Sequence, residues 1–195
     1  MTSVDPATTM KMVSTQPLLA AQISMPQAER SCLTAFQSEF DYLCRTLRRL
    51  GIRSSDLEDV VHEVFLVLHR RWDDYDPSFP LRPWLFGIAF RVAAAHRKRT
   101  AREVPLARVE VEDTRPHPEQ AAVTEEARAT VLAALEQVPL RRRAVLVMHD
   151  LDNLGMRDIA SGLSIPLFTA YSRLRKARKE FEAAVRRSQK RGPKP

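Results

Sequence analysis

The stretch from Met156 to Arg178 constrains the fold most. Its apolar residues form two helical periods separated by Ser164-Ile165-Pro166, and proline there rules out one continuous helix. Ile159, Ala160 and Leu163 make the inner face of a short first helix, and small Ala160 lets a second helix cross closely. Leu167, Ala170, Tyr171, Leu174, Ala177 and Phe181 fall on one face of the second, with Ile165 turned inward between the two. The spacing predicts a helix-turn-helix. The opposite face carries Thr169, Ser172, Lys176 and Lys179, flanked by Arg173 and Arg175, while Arg178 falls nearer the buried side and is expected to pair inside the domain. Short hydroxyls and amines reach base edges in a major groove, and outlying cations hold phosphates. An αα-hairpin with a solvated basic face would show the same pattern.

The rest of the chain is helical by the same test. Phe36, Phe40, Leu43, Leu47 and Leu50 recur at spacings of three and four, and Gly51 ends that helix. Ser55 or Asp56 caps a second, whose apolar face is Leu57, Val60, Val61, Val64, Phe65 and Leu68. It stops before the turn-forming run Asp73 to Pro80, and a third helix covers 82–102. Residues 103–123 carry Pro105, Pro116 and Pro118 with no sustained period and read as a linker. Helices resume at 124–138, 140–150, 155–163 and 167–188. Residues 1–30 read as a disordered tail and 189–195 as a basic one. Five Gly against 13 Pro disfavours a hairpin-rich sheet. The expected fold is all-α: two small helical domains, 31–102 and 124–188, joined by a flexible linker.

A net charge of +7 points to a polyanionic partner, either nucleic acid or an anionic membrane. The apolar run 17–23 is too short for a signal core or a membrane span, which disfavours insertion. Cys32 and Cys44 form no C-x-x-C and no disulfide framework, so a reducing cytoplasm is the expected location.

Two further surfaces stand out in the N-terminal half. On the second helix, Asp56, Asp59, Glu63 and Arg70 lie away from the apolar face with Leu66 among them, and an acidic face with an apolar centre suits a protein partner. The loop 73–81 places Tyr75 and Phe79 beside Arg82, and aromatics next to cations suit unstacked bases. Trp84, one turn on, is expected to pack in the core. No catalytic constellation, nucleotide loop or cofactor motif is present in the sequence. His62 and Glu63 begin a zinc-protease pattern that fails at its last position, and His62 with His69 lacks converging ligands, so neither a metal nor a cofactor is expected.

Ile159-Ala160, Ile165-Pro166, Thr169, Ser172-Arg173-Leu174 and Ala177-Arg178 resemble the promoter-binding domain of bacterial sigma factors of the extracytoplasmic-function type. Leu135 to Met148 resembles the stretch that precedes it there. Before the linker, Asp56 to Arg71 resembles the family's polymerase-binding helix, and Trp84 to Ala89 with the basic end His96-Arg97-Lys98-Arg99 resembles its helix for the minus-ten element. The resemblance implies core RNA polymerase, promoter DNA and an anti-sigma factor as partners. It implies polymerase contacts through Asp56, Asp59, Glu63, Leu66 and Arg70. Minus-ten contacts would come from Tyr75, Phe79, Arg82, Arg91, His96, Arg97 and Lys98, and minus-thirty-five contacts from Phe168, Thr169, Ser172, Arg173, Arg175, Lys176 and Lys179. Four positions depart from the family pattern: Ser164 and Phe168 stand where glycine is common, Arg91 where asparagine is common, and Ala95 where aspartate is. The competing reading is a stand-alone helix-turn-helix regulator that reads DNA with its C-terminal domain only.

Overall fold

A computed structural model of the chain describes residues 27–103 and 119–191. Eight α-helices cover most of them: α1 Gln27–Ser38, α2 Phe40–Arg49, α3 Leu57–Arg70, α4 Leu81–Glu103, α5 Glu119–Glu136, α6 Leu140–Leu146, α7 Met156–Gly162 and α8 Leu167–Arg191. No strand occurs among the described residues. Most of the expected tail 1–30 and linker 103–123 lies outside them. Helix α1 nevertheless starts at Gln27 and α5 at Glu119, inside stretches expected to be irregular, and α8 continues through Arg191 into the expected basic tail.

Local chemistry explains the other departures. The single helix expected over 36–50 is broken at Glu39. Ser38 Oγ donates to the Ala35 carbonyl at 2.9 Å, a local bond that competes with the helical ladder. Phe36 meets Phe40 edge-on at 5.9 Å and Phe65 at 4.8 Å. Gly51 ends α2 as expected, at φ +87°, and Ile52 N–H closes back on the Leu47 carbonyl at 3.0 Å. Asp56 takes the N-cap position of α3 but makes no side-chain capping bond; its carboxylate accepts from Ser55 Oγ at 2.7 Å and meets His96 Nε2 at 3.1 Å. After Leu146 the helix widens into a π-helical turn, Val147–Leu151, which carries the chain to Asp152.

The helix-turn-helix forms as the spacing predicts. Ser164 takes φ +53° although it is not glycine, and Ile165 N–H bonds the Ala160 carbonyl at 2.9 Å, so the left-handed turn survives the substitution. Ala170, Leu174, Ala177 and Ala184 are the buried line of α8. Leu167 and Tyr171 do not join it: they are 41% and 56% exposed. At about 100° per residue, Tyr171 lies a quarter turn from the Ala170–Leu174–Ala177 line, beyond the reach of the covering helices.

The two halves are packed on each other. One apolar core runs from Leu43, Leu47 and Phe86 through to Val145, Ile159 and Leu174. Helices α4 and α7 approach backbone to backbone: a β-carbon at Gly87 would collide with the Gly162 carbonyl oxygen, and one at Gly162 with that of Pro83. Across the same junction, Asp152 accepts from Arg49 at 2.7 Å and from the Tyr42 hydroxyl at 3.1 Å. Burial is the main reason the Asp152 carboxyl sits above the ordinary carboxylate range.

Candidate nucleic-acid and protein interfaces

Helix α8 begins just after Pro166, which suits a helix start, and its buried alanines fix its rotation. The outward side then holds Phe168, Arg175, Lys176 and Lys179, all exposed, with Thr169, Ser172 and Arg173 half-buried at its edges. Burial, and then the neighbouring Arg141, lowers the Arg173 guanidinium from its usual value. Arg178 is tied down inside the domain, donating to both Asp150 oxygens at 2.6 and 2.9 Å. What remains is a helix face with short hydroxyls, four cations and one protruding phenyl ring.

On α3, Val60, Val61, Val64 and Leu68 are buried, which turns Asp59 and Leu66 outward; Leu66 is 45% exposed. Arg70 lies alongside, its Nε bonded to the Leu66 carbonyl at 3.1 Å. The rest of the expected acidic face is engaged by α4. Asp56 meets His96, and Glu63 is held by Arg99 through paired bonds of 2.9 and 3.0 Å. Hydrogen bonding, from Ser55 for Asp56 and from Arg99 for Glu63, holds both carboxyls below their ordinary range. Asp59, Leu66 and Arg70 are therefore the outward members of the predicted set.

The loop after α3 is built on aromatics. Tyr75 stacks on Trp84 at 5.1 Å and on Trp72 at 5.5 Å, and its hydroxyl donates to the Phe79 carbonyl at 2.8 Å. Trp84 is half-buried against the core, as expected. Phe79 is left 64% exposed at the tip. Arg82 lies over the Tyr42 ring at 5.0 Å and pairs with Glu39 at 2.9 Å.

Of the basic residues expected along α4, Lys98 alone is both exposed and without a bond described here. Arg97 is half-buried and donates to the Gly51 carbonyl at 3.0 Å, at the end of α2, where carbonyl dipoles favour a cation. Arg91 donates to Ser164 Oγ at 3.0 Å, so a residue expected at the minus-ten element sits on the turn of the helix-turn-helix.

Sequence reading missed the junction between the halves. Its one visible signal was Gly87 in the interior of α4, where glycine costs about 1 kcal/mol against alanine and calls for a packing reason. Arg141-Arg142-Arg143 is a continuous basic run in the sequence, and its members have different surroundings. In the structure Arg143 is buried, donating to the Val138 and Glu136 carbonyls at 3.1 and 2.6 Å, and burial, then Arg97, pushes its guanidinium down to about 10. Arg142 pairs with Glu180 at 2.7 Å. No cluster of metal-ligating side chains and no helix long and apolar enough to cross a membrane occurs among the described residues.

Comparison with known proteins agrees with this geometry. Residues 35–103 match the model of sigma-70 region 2, and residues 128–181 that of sigma-70 region 4. RNA polymerase sigma-H factor of Pseudomonas aeruginosa is 27% identical over 143 residues, covering 68% of this chain and 74% of the relative. The ECF RNA polymerase sigma-E factor of Escherichia coli is 26% identical over 145 residues, covering 69% and 76%. Among solved structures, CnrH in complex with the cytosolic domain of CnrY superposes with a TM-score of 0.59 at 24% identity, over 86% of this chain and 94% of that one. The sigma factor RpoE bound to the anti-sigma factor NepR from Bartonella quintana superposes at 0.58 and 17% identity, over 78% and 97%. A two-domain helical specificity factor for transcription is the class these observations define. Within it, the chain belongs to the extracytoplasmic-function branch of the sigma-70 family of RNA polymerase sigma factors.

Proposed function

We propose that the chain docks on core RNA polymerase through the outer side of α3 and brings it to promoters read at two separated elements, with no chemistry of its own. Leu66 carries the first part: a leucine 45% exposed between Asp59 and Arg70 gives this face an apolar centre with a charged rim, the anatomy of a protein interface. The minus-ten element falls to Phe79, Arg82, Arg91 and Lys98 with Tyr75 beneath the loop, and the minus-thirty-five element to the outward face of α8. His96 and Arg97 are half-buried and bonded to Asp56 and Gly51, and act there by holding α4 in place; Arg82 and Arg91 are exposed and exchange their bonds to Glu39 and Ser164 for contacts with the DNA. The likeness to a sigma factor bound to an anti-sigma factor supports a similar regulatory partner for this chain.

Each DNA-facing surface is small, so neither binds duplex firmly alone; the polymerase fixes both on one promoter and raises their effective concentration. The test compares free chain and holoenzyme on the same promoter fragment at physiological salt. Weak, sequence-tolerant binding by the free chain and firm binding by the holoenzyme is the expected result. Nanomolar sequence-specific binding by the free chain would favour a stand-alone regulator.

A further inference from the structure

Phe168 has no structural task in the fold. Its side chain is 84% exposed, the highest value among the exposed large hydrophobic residues that the structure describes, and it sits in the first turn of α8. About 100° per residue puts it on the same outward line as Ser172, Arg175 and Lys179, nearly opposite the buried Ala170–Leu174–Ala177 line. Tyr171 stands at the rim of that line, 56% exposed. An aromatic pair of this kind would invite aggregation on an ordinary surface. Here it is ringed by cations, and the chain carries +7 overall. An apolar protein partner is poorly matched to that ring of charge, whereas a nucleic-acid duplex is well matched to it.

In a helix-turn-helix, residues from the N-terminal part of the second helix meet base edges in the major groove. The base edges there are polar except at one point, the 5-methyl group of thymine. We propose that Phe168 reads thymine methyls in the minus-thirty-five element, with Tyr171 closing the side of the contact. This rests on the reading of α8 as the promoter-reading helix and adds a base class to it. Ser172 and Lys176 supply hydrogen bonds; Phe168 supplies a contact that depends only on the methyl and ignores the Watson–Crick edge.

Replacing thymine by uracil removes that methyl and nothing else. Promoters are first selected by wild-type holoenzyme, made from core polymerase and the full chain, out of a library randomised at the minus-thirty-five element. Each thymine in the selected sites is then replaced by uracil, one at a time on either strand. Wild-type holoenzyme is expected to lose about three- to tenfold in affinity at one or two neighbouring thymines, the scale of burying one methyl group. Holoenzyme carrying Phe168→Ala should bind the thymine and uracil promoters equally, and Phe168→Leu should recover part of the discrimination. Because the ring is exposed, neither change threatens the fold. The inference is overturned if wild type ignores every methyl, or if Phe168→Ala keeps the full thymine preference, as it would were the ring a protein contact. If wild-type holoenzyme selects no minus-thirty-five sequence at all, the promoter-reading assignment of α8 falls first, and this one with it.

Discussion

Gly87→Ala separates the two halves in a way that can be worked from the structure. The added methyl would meet the Gly162 carbonyl oxygen far inside contact distance, and a backbone oxygen on a packed helix cannot swing aside. Helices α4 and α7 must therefore part. Overpacking of this kind costs about 1–3 kcal/mol. Parting also breaks the Arg91–Ser164 bond, worth about 0.5–1.5 kcal/mol. Within α4 itself the sign is opposite, since alanine is a better helix former than glycine by about 1 kcal/mol. The halves should thus disengage by about 2 kcal/mol, a shift of about thirtyfold toward the open form, while the N-terminal helices melt no earlier than in the wild type. Small-angle scattering gives the first quantity, as a rise in radius of gyration, and thermal unfolding followed at Trp72 and Trp84 gives the second. Unchanged scattering with a lower melting temperature would refute the reasoning, because it would mean that the methyl is absorbed by distortion of α4 and not by separation.

Asp59→Lys together with Leu66→Ala should weaken binding to core polymerase by about 2–4 kcal/mol, the scale of a small hot spot, with helicity unchanged in circular dichroism; unaltered affinity in a pull-down would remove α3 as the docking surface. Lys176→Ala should cost about 1–3 kcal/mol and relax preference at one or two base pairs, whereas Arg175→Ala should weaken all sequences alike and flatten the salt dependence, both read from holoenzyme binding to single-base promoter variants at two salt concentrations. Asp56 and Glu63 have carboxyls held below their ordinary range, so the stability they lend is present above the unfolded carboxylate range near pH 4 and is lost as pH falls through their lowered folded values. Acid unfolding of a variant carrying Asp56→Asn and Glu63→Gln should accordingly show a shallower dependence on pH than wild type, and an identical acid transition would count against these pairs.

The elements were legible where a short-range pattern fixed them. Gly51 ended its helix because only a left-handed residue closes that turn, and Leu66 faced outward because four buried neighbours on α3 left it no other direction. The helix-turn-helix was legible for the same reason. What depended on distant partners was not. Asp56 reads as a cap until His96 is seen beside it, 40 residues away in sequence. Arg143 looks like its two basic neighbours until the carbonyls that hold it are in place. Tyr171 fits the apolar period of α8, yet the helices that would have covered it stop short of its rim. The union of the two domains through Gly87, Gly162 and Asp152 joins residues no local period connects, so the shared core between them could not be read from the sequence.

The most direct test of the account is runoff transcription with purified chain and core RNA polymerase on a promoter library. Transcripts are expected only when the chain is added, from templates sharing two spaced upstream elements, and are expected to disappear with Asp59→Lys together with Leu66→Ala. Transcription that is the same with and without the chain would contradict it.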